Sequence, residues 1–239
     1  MKQSSMHNTL PETLVVGALA TNCYLYPLES VPDTPLCPCV VIDPGADAGV
    51  IITRLESLRW YPRYILLTHG HFDHLAALPT LLTHYDGKPE VAIHEADAAY
   101  LGTKARQVHR HSFIAFMGDS AYVDALWEDM PQATRLVVEG DCVGPLRVLH
   151  LAGHSPGSAG FYDEAAGLLF SGDTLFKDGF GRVDLPGGST KALVSSLKRL
   201  CIGDDNYFIE EHTVVYPGHG AVTTIGAEKS RYHWPKQTC

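Results

Sequence analysis

The residues best suited to chemistry lie in one short stretch, Thr68-His69-Gly70-His71-Phe72-Asp73-His74. It follows an apolar run at residues 64–67, which is typical of a buried strand. On a strand these side chains would alternate between faces, and on a helix they would spread around the axis; on a tight loop they can converge. Neutral imidazoles and a carboxylate are ligands that zinc and similar divalent metals accept. The stretch therefore predicts a metal-binding loop.

Three further turns repeat the same order of strand, glycine-containing turn and ligand-type residue. They are Gly153-His154-Ser155, Gly172-Asp173-Thr174 and Pro217-Gly218-His219-Gly220. A histidine alone in a turn is often a packing residue, but four such turns in one chain favour metal ligation. The other histidines lack this setting and are interpreted as non-ligands: His7, His84, His94, His109, His111, His150, His212 and His233, with His109 and His111 kept as candidates for lining a pocket.

The elements that must position these turns are short buried strands alternating with amphipathic helices. Strands are predicted at residues 13–26 (as a pair), 39–42, 64–67, 91–94, 135–138, 146–150, 161–162, 168–171 and 214–216, and helices at residues 48–58, 75–82 and 191–200. Residues 29–38 are rich in turn formers and predict a hairpin loop. This succession is typical of a layered α/β or α+β fold. No linker divides the chain, so residues 1–239 are predicted to form one domain.

Residues 100–130 differ from their surroundings, because they mix aromatic side chains with histidine and arginine and show no strand pattern. They predict a mostly helical excursion over the sheet. Two interpretations are open: the apolar side chains pack on the core or on a second subunit, or they form a lid or pocket wall beside the metal site.

Composition excludes several classes of function. The formal charge of −9 argues against a nucleic-acid partner, since phosphate binding needs lysine and arginine. No apolar run approaches the length of a membrane-spanning helix. The six cysteines are scattered without a disulfide framework, which favours a reduced, cytoplasmic compartment. A small-molecule substrate is expected, and a homodimer is left open.

Together these motifs resemble the metallo-β-lactamase-fold hydrolases. Asn22-Cys23-Tyr24-Leu25 and Asp43-Pro44-Gly45 fit the opening strands of that family, so the resemblance runs over residues 22–219. It implies an α+β fold, a four-layer αββα sandwich, with two divalent metal ions at one edge of the sheets. Zinc is favoured, with iron or manganese as alternatives.

Carried over residue by residue, the resemblance assigns a ligand set to each metal ion. His69, His71 and His154 would hold one ion, Asp73, His74 and His219 the other, and Asp173 would bridge both. It also implies a mechanism in which a metal-bound hydroxide attacks a carbonyl carbon. Asp73 is the candidate for steering the proton.

The branch of the family can be narrowed further. Many true β-lactamases of this fold have cysteine where this chain has Asp173, which disfavours antibiotic hydrolysis. The segments Gly172-Asp-Thr-Leu-Phe176 and Gly179-Phe-Gly-Arg182-Val-Asp184 are similar to short, single-domain relatives of glyoxalase II (hydroxyacylglutathione hydrolase). This implies hydrolysis of thioesters such as S-lactoylglutathione. Phe176 and Arg182 are candidate substrate contacts, although Arg182 could instead pair with Asp184.

Two alternatives stay open at this point. The first is a mononuclear iron persulfide dioxygenase that uses His69, His154 and Asp173. The second is a lactone hydrolase, for which a hydroxyl group near the attacked carbonyl is expected; Phe176 offers none.

Overall fold

Two six-stranded sheets lie face to face in the computed structural model, which describes residues 10–28, 35–203 and 208–231. The first sheet contains, in spatial order, β1 (Glu12–Val16), β2 (Thr21–Pro27), β3 (Cys37–Ile42), β4 (Trp60–Leu67), β5 (Glu90–His94) and β6 (Arg135–Val137). The second contains β14 (Thr223–Thr224), β13 (Val214–Pro217), β10 (Leu168–Gly172), β9 (Ala159–Asp163), β8 (Leu146–His150) and β7 (Cys142–Val143). A small hairpin, β11 (Leu175–Phe176) and β12 (Gly179–Phe180), stands apart.

Helices cover the outer face of each sheet. They are α1 (Ala48–Leu58), α2 (Leu78–His84), α3 (Ala105–Met117), α4 (Ala121–Leu126), α5 (Thr190–Ile202) and α6 (Ile225–Arg231). The helices α3 and α4 form the excursion that the sequence predicts. No helix in the described ranges combines the length and the apolar character needed to cross a membrane.

Three separate apolar cores show the layer order. In β3, Val41 packs with Ile51 and Leu55 of α1, whereas its neighbours Val40 and Ile42 pack against the second sheet. This alternation follows from the two-residue period of a strand. A third core joins the second sheet to α5 and α6. The layers are therefore α, β, β and α, which confirms the four-layer sandwich.

Several sequence predictions need correction. The helix expected at residues 75–82 is a 3₁₀ turn at Phe72–His74 followed by α2, which begins at Leu78. Pro79 lies in the first turn of α2, where its missing N–H costs nothing. Cys37 and Pro38, expected in a loop, already pair with β4. The expected loop at residues 29–38 otherwise falls largely on residues 29–34, outside the described residues. The two-residue strands β7, β11, β12 and β14 were not predicted, because they are too short to give a periodic pattern.

The four ligand-bearing turns follow strands of both sheets. His69 follows β4 in the first sheet, and the other three follow β8, β10 and β13 in the second. Backbone hydrogen bonds tie the sheets together here: the Ala159 amide donates to the Thr68 carbonyl at 2.7 Å, and the Asn22 amide donates to the Gly218 carbonyl at 2.7 Å. The turns therefore meet at one edge of the sandwich.

Candidate metal centre

Three imidazole nitrogens from two distant turns form a tight triangle. His71 Nδ1 lies 2.8 Å from His154 Nε2 and 3.1 Å from His69 Nε2, and the latter two atoms lie 3.2 Å apart. Each ring nitrogen has only one in-plane lone pair or one proton, so hydrogen bonds cannot satisfy all three contacts. A cation at the centre would receive three lone pairs, and the triangle accommodates zinc–nitrogen bonds of about 2.0–2.1 Å.

A second group lies beside the triangle. His74 Nε2 is 3.3 Å from His219 Nε2 and 3.5 Å from Asp73 Oδ2. His219 Nε2 is 3.4 Å from the same Asp73 oxygen. These three side chains are close enough to share one ion.

Asp173 lies between the two groups. Its Oδ2 atom is 3.5 Å from His154 Nε2, in the triangle, and its Oδ1 atom is 3.5 Å from His74 Nε2, in the second group. The Oδ1 atom is buried and has no hydrogen-bond partner among the described residues. A Cβ atom at Gly218 would lie 2.1 Å from this oxygen, so glycine is needed for the approach. The residues present therefore fit a pair of metal ions bridged by a carboxylate.

The outward-facing nitrogen of several rings has a fixed acceptor. The acceptors are the Asp43 carboxylate for His74 at 2.9 Å, the Arg182 carbonyl for His154 at 2.8 Å and the Ala20 carbonyl for His219 at 3.3 Å. Donation of the outer proton leaves the inner nitrogen with its lone pair, which assigns the tautomer that a metal ligand needs.

Asp43 supports the cluster, although its sequence motif was assigned only to the opening strands of the fold. It accepts hydrogen bonds from the Thr68 amide at 2.8 Å and the Thr68 hydroxyl at 2.6 Å, besides that from His74. Because the hydroxyl proton goes to Asp43, Thr68 Oγ1 can accept from His69 Nδ1 at 3.1 Å. Asp43 thus orients two site histidines.

Asp97 is a second residue that the sequence analysis missed. It is fully buried and accepts hydrogen bonds from the Gly70 amide at 2.9 Å, the Gly157 amide at 2.7 Å and the Ser155 hydroxyl at 2.7 Å. It therefore clamps the loop of His69 and His71 to the loop of His154. Asp43 follows strand β3 directly, and Asp97 lies in the turn after β5, so a search for carboxylates just past strand ends would have found both.

The two groups differ in charge before any metal binds. Burial lowers the pKa of His69 and His71 well below the usual value, which leaves both rings neutral at pH 7. Burial alone would also lower the pKa of His74, but Asp73, Asp173 and Asp43 raise it to about 10. Burial would raise the pKa of Asp73, yet the charge of His74 and a hydrogen bond from His219 hold it well below its usual value. In the second group, His74 and Asp73 thus form a charged pair, and a metal ion would replace the proton of His74.

A cavity of about 410 Å³ opens above the cluster. Its floor includes His71, Asp73, His154, Asp173 and His219. Its walls come from the excursion, from the β11–β12 hairpin and from the following loop: Ser112, Phe113, Phe116, Phe176, Phe180, Arg182 and Leu185. Phe113 and Phe116 of α3 therefore form a pocket wall, and they also pack on the core of the first sheet, so both interpretations describe this helix.

Both candidate substrate contacts line this cavity. The Phe176 ring lies 6.3 Å from the His219 ring, and the Arg182 guanidinium lies 4.7 Å above the Phe116 ring. Arg182 also makes two hydrogen bonds of 2.7 Å to Asp184. Arg182 is thus paired with Asp184, as one of the two interpretations expects. It also lines the cavity, as the other requires.

The histidines interpreted as non-ligands stay away from the cluster where the structure describes them. His109 is buried in α3 and donates from Nε2 to the Tyr100 carbonyl at 2.9 Å, and His111 is exposed on the same helix. Neither lines the cavity. None of the candidate ligand groups includes His84, His94, His109, His111, His150 or His212. His7 and His233 lie outside the described residues.

Comparison with known proteins supports the same family. Hydroxyacylglutathione hydrolase GloC of Haemophilus influenzae is 34% identical over 191 residues, which cover 79% of this chain and 83% of the relative. The BLEG-1 B3 metallo-beta-lactamase superposes with a TM-score of 0.76 at 30% identity, covering 92% of this chain and 97% of that chain. The protein TTHA1623, solved in a di-iron-bound form, has a TM-score of 0.66 at 34% identity, covering 92% and 96%.

The family model described as the metallo-beta-lactamase superfamily matches residues 37–219. This span contains all seven side chains of the cluster. The four-layer sandwich and the position of the cluster at its edge agree with that assignment. The chain belongs to the metallo-beta-lactamase superfamily.

Proposed function

We propose that the chain is a single-domain, binuclear metal-dependent hydrolase of thioesters. His69, His71 and His154 would hold one ion, Asp73, His74 and His219 would hold the second, and Asp173 would contact both. The observation that carries the proposal is the convergence of these seven side chains, five of which form the floor of an open cavity. The similarity to a hydroxyacylglutathione hydrolase supports a thioester substrate.

In the proposed reaction the oxygen of water bonds to the thioester carbonyl carbon and the carbon–sulfur bond breaks, giving a carboxylic acid and a thiol. When bound at these residues, two metal ions would supply activation of the water and stabilisation of negative charge on the carbonyl oxygen. The chain's own residues hold the reactants at the cavity floor. Asp73 stays ionised because its pKa is low, and its carboxylate can therefore accept a hydrogen bond from the water and direct its proton.

Hydrolysis of β-lactams is a second candidate, because the BLEG-1 likeness covers nearly the whole of both chains. Asp173 at the bridging position argues against it, because many β-lactamases of this fold have cysteine there. The identity of the metal also needs a test. TTHA1623, which is 34% identical to this chain, was solved in a di-iron-bound form.

The test is metal quantification on purified protein, coupled to turnover of a panel containing S-lactoylglutathione, a lactone, a cephalosporin and glutathione persulfide. We expect about two metal ions per chain and fastest turnover of the thioester. One iron ion per chain with oxygen consumption on the persulfide would replace the hydrolase proposal with a dioxygenase. Fastest turnover of the lactone or the cephalosporin would replace only the thioester assignment.

A further inference from the structure

The walls of the cavity are mainly aromatic. Phe113 and Phe116 project from α3, while Phe176 and Phe180 belong to the β11–β12 hairpin. Phe113 is held by stacking on Tyr122, with ring centroids 5.3 Å apart and planes at 11°. Phe116 packs edge-on against Phe113 at 5.9 Å. The side of the wall that α3 provides is thus a fixed apolar surface.

Aromatic side chains flank the polar floor on two sides. Phe176 lies beside His219, with the ring centroids 6.3 Å apart. On the other side the Arg182 carbonyl accepts from His154 Nδ1 at 2.8 Å, and the guanidinium of the same residue covers the Phe116 ring at 4.7 Å. A thioester whose carbonyl lies at the floor has one substituent on each side. Its acyl group therefore meets a phenylalanine whichever way round the substrate lies.

The wall offers little for a charged thiol. Among the described residues that line the cavity, Arg182 is the one lysine or arginine. Its guanidinium is already engaged by both carboxylate oxygens of Asp184 at 2.7 Å and by the Phe116 ring. A carboxylate such as those of glutathione would have to compete with Asp184 for this bidentate pair.

We propose that this site selects thioesters by an apolar, preferably aromatic, acyl group and is nearly indifferent to the carboxylates of the thiol. The inference rests on the proposed function and names its substrate class. The physical basis is that an apolar group on the aromatic wall leaves water, whereas the hydroxyl of a lactoyl group gains nothing from contact with the four phenylalanine rings.

The first experiment compares four thioesters on the metal-loaded protein. Phenylacetyl and lactoyl thioesters are each made with glutathione and with neutral N-acetylcysteamine, and kcat/KM is divided by the rate of hydroxide-catalysed hydrolysis of the same compound. We expect the phenylacetyl thioesters to be preferred by at least about tenfold on either thiol. Exchange of the thiol should change kcat/KM by less than about threefold.

The second experiment assigns the selectivity to the wall. Phe116→Ala and Phe176→Ala each remove one side of it, and Ile114→Ala is the matched control because Ile114 is exposed on α3 and does not line the cavity. We expect at least one of the two phenylalanine variants to lower the ratio of phenylacetyl to lactoyl turnover about tenfold. Ile114→Ala should leave the ratio unchanged. All variants are checked for wild-type metal content.

A binding measurement separates recognition from turnover. S-benzylglutathione and S-methylglutathione are thioethers that cannot be hydrolysed, and calorimetry on the metal-free protein should show tighter binding of the benzyl compound by about tenfold. Phe116→Ala or Phe176→Ala should reduce that difference.

The outcomes distinguish the two proposals. A phenylacetyl preference below about tenfold, a change of more than about threefold on exchange of the thiol, or unchanged ratios in both phenylalanine variants would overturn this inference alone. Failure of the metal-loaded protein to hydrolyse any of the four thioesters would remove the proposed function and this inference with it.

Discussion

At the residue scale, Asp43 decides which nitrogen of His74 keeps its proton when a metal ion displaces the other proton. Three donors converge on this carboxylate, two from Thr68 and one from His74. An ionised carboxylate accepts all of them, whereas an asparagine offers one oxygen and places an NH₂ donor against the others. The tautomer of His74, and with it the direction of its lone pair, therefore depends on a residue that does not touch the metal position.

Asp43→Asn should weaken metal binding about 10–100-fold, the usual effect of removing a partner of a metal-binding histidine. Zinc affinity measured by chelator competition checks this. The control is Asp163→Asn, because Asp163 is also a buried acceptor, bonded to the Tyr26 hydroxyl at 2.8 Å away from the cluster. Equal affinity in wild type and Asp43→Asn would contradict the assigned role.

Asp173→Ala should reduce metal content and abolish hydrolysis, because the two carboxylate oxygens of Asp173 face different groups of the cluster. Elemental analysis and a thioester assay measure the two effects. Retention of two ions and of activity would refute the bridging assignment.

The protonation of His74 predicts a pH dependence of metal uptake. Its pKa of about 10 means that the metal-free protein carries this proton at pH 7, and a metal ion must displace it. Zinc affinity should therefore rise with pH between about 7 and 9, by up to tenfold per pH unit. Calorimetry in buffers of different ionisation enthalpy should detect the released proton at pH 7. Uptake without proton release would show that His74 is neutral or does not bind.

At the element scale, the excursion formed by α3 and α4 brings both structure and substrate contacts to the site. One face of α3 lines the cavity, and another buries His109 against Phe72, with ring centroids 5.3 Å apart. Phe72 lies inside the metal-binding loop, between His71 and Asp73. The excursion therefore packs directly on the element that carries most of the cluster.

His109 should make the excursion sensitive to acid. Burial lowers its pKa from 6.5 to about 4, so the unfolded chain takes up the proton first as the pH falls. The contribution is present above about pH 6.5 and is lost progressively down to pH 4, which amounts to about 3 kcal/mol. Denaturant unfolding of metal-free protein at several pH values should show a shallower dependence for His109→Gln than for wild type. Exposed His111 supplies the control: His111→Ala should keep the wild-type slope and metal content.

At the scale of the whole molecule, the site lies where the edges of the two sheets meet. Its ligands follow strands of both sheets and lie up to 150 positions apart in the chain, from His69 to His219. Asn22 of the first sheet connects the two sheets here, since its side chain donates to the carbonyls of Pro217 at 3.0 Å and Gly220 at 2.9 Å. An ion bound here would cross-link the sandwich.

Metal removal should therefore lower the melting temperature of the whole domain. A ligand that binds only the folded state stabilises it by about 2.7 kcal/mol at a hundred times its dissociation constant. Calorimetric melting before and after chelation, and after addition of zinc, measures the effect. Asp173→Ala should show a much smaller difference, and an unchanged melting temperature in the wild type would contradict the cross-linking role.

The types of the candidate ligands and their local setting can be read from the sequence. Imidazoles and carboxylates just past buried strands are encoded within a few residues of His69, His154, Asp173 and His219, and the strand period alone indicates which neighbours are buried. The hydrogen-bond partners of the supporting carboxylates follow only from the tertiary structure. Asp97 bonds to Ser155 and Gly157, 58 and 60 positions away, and Asp43 bonds to His74, 31 positions away. A carboxylate's role depends on which donors surround it, and only the packing of the two sheets brings those donors together.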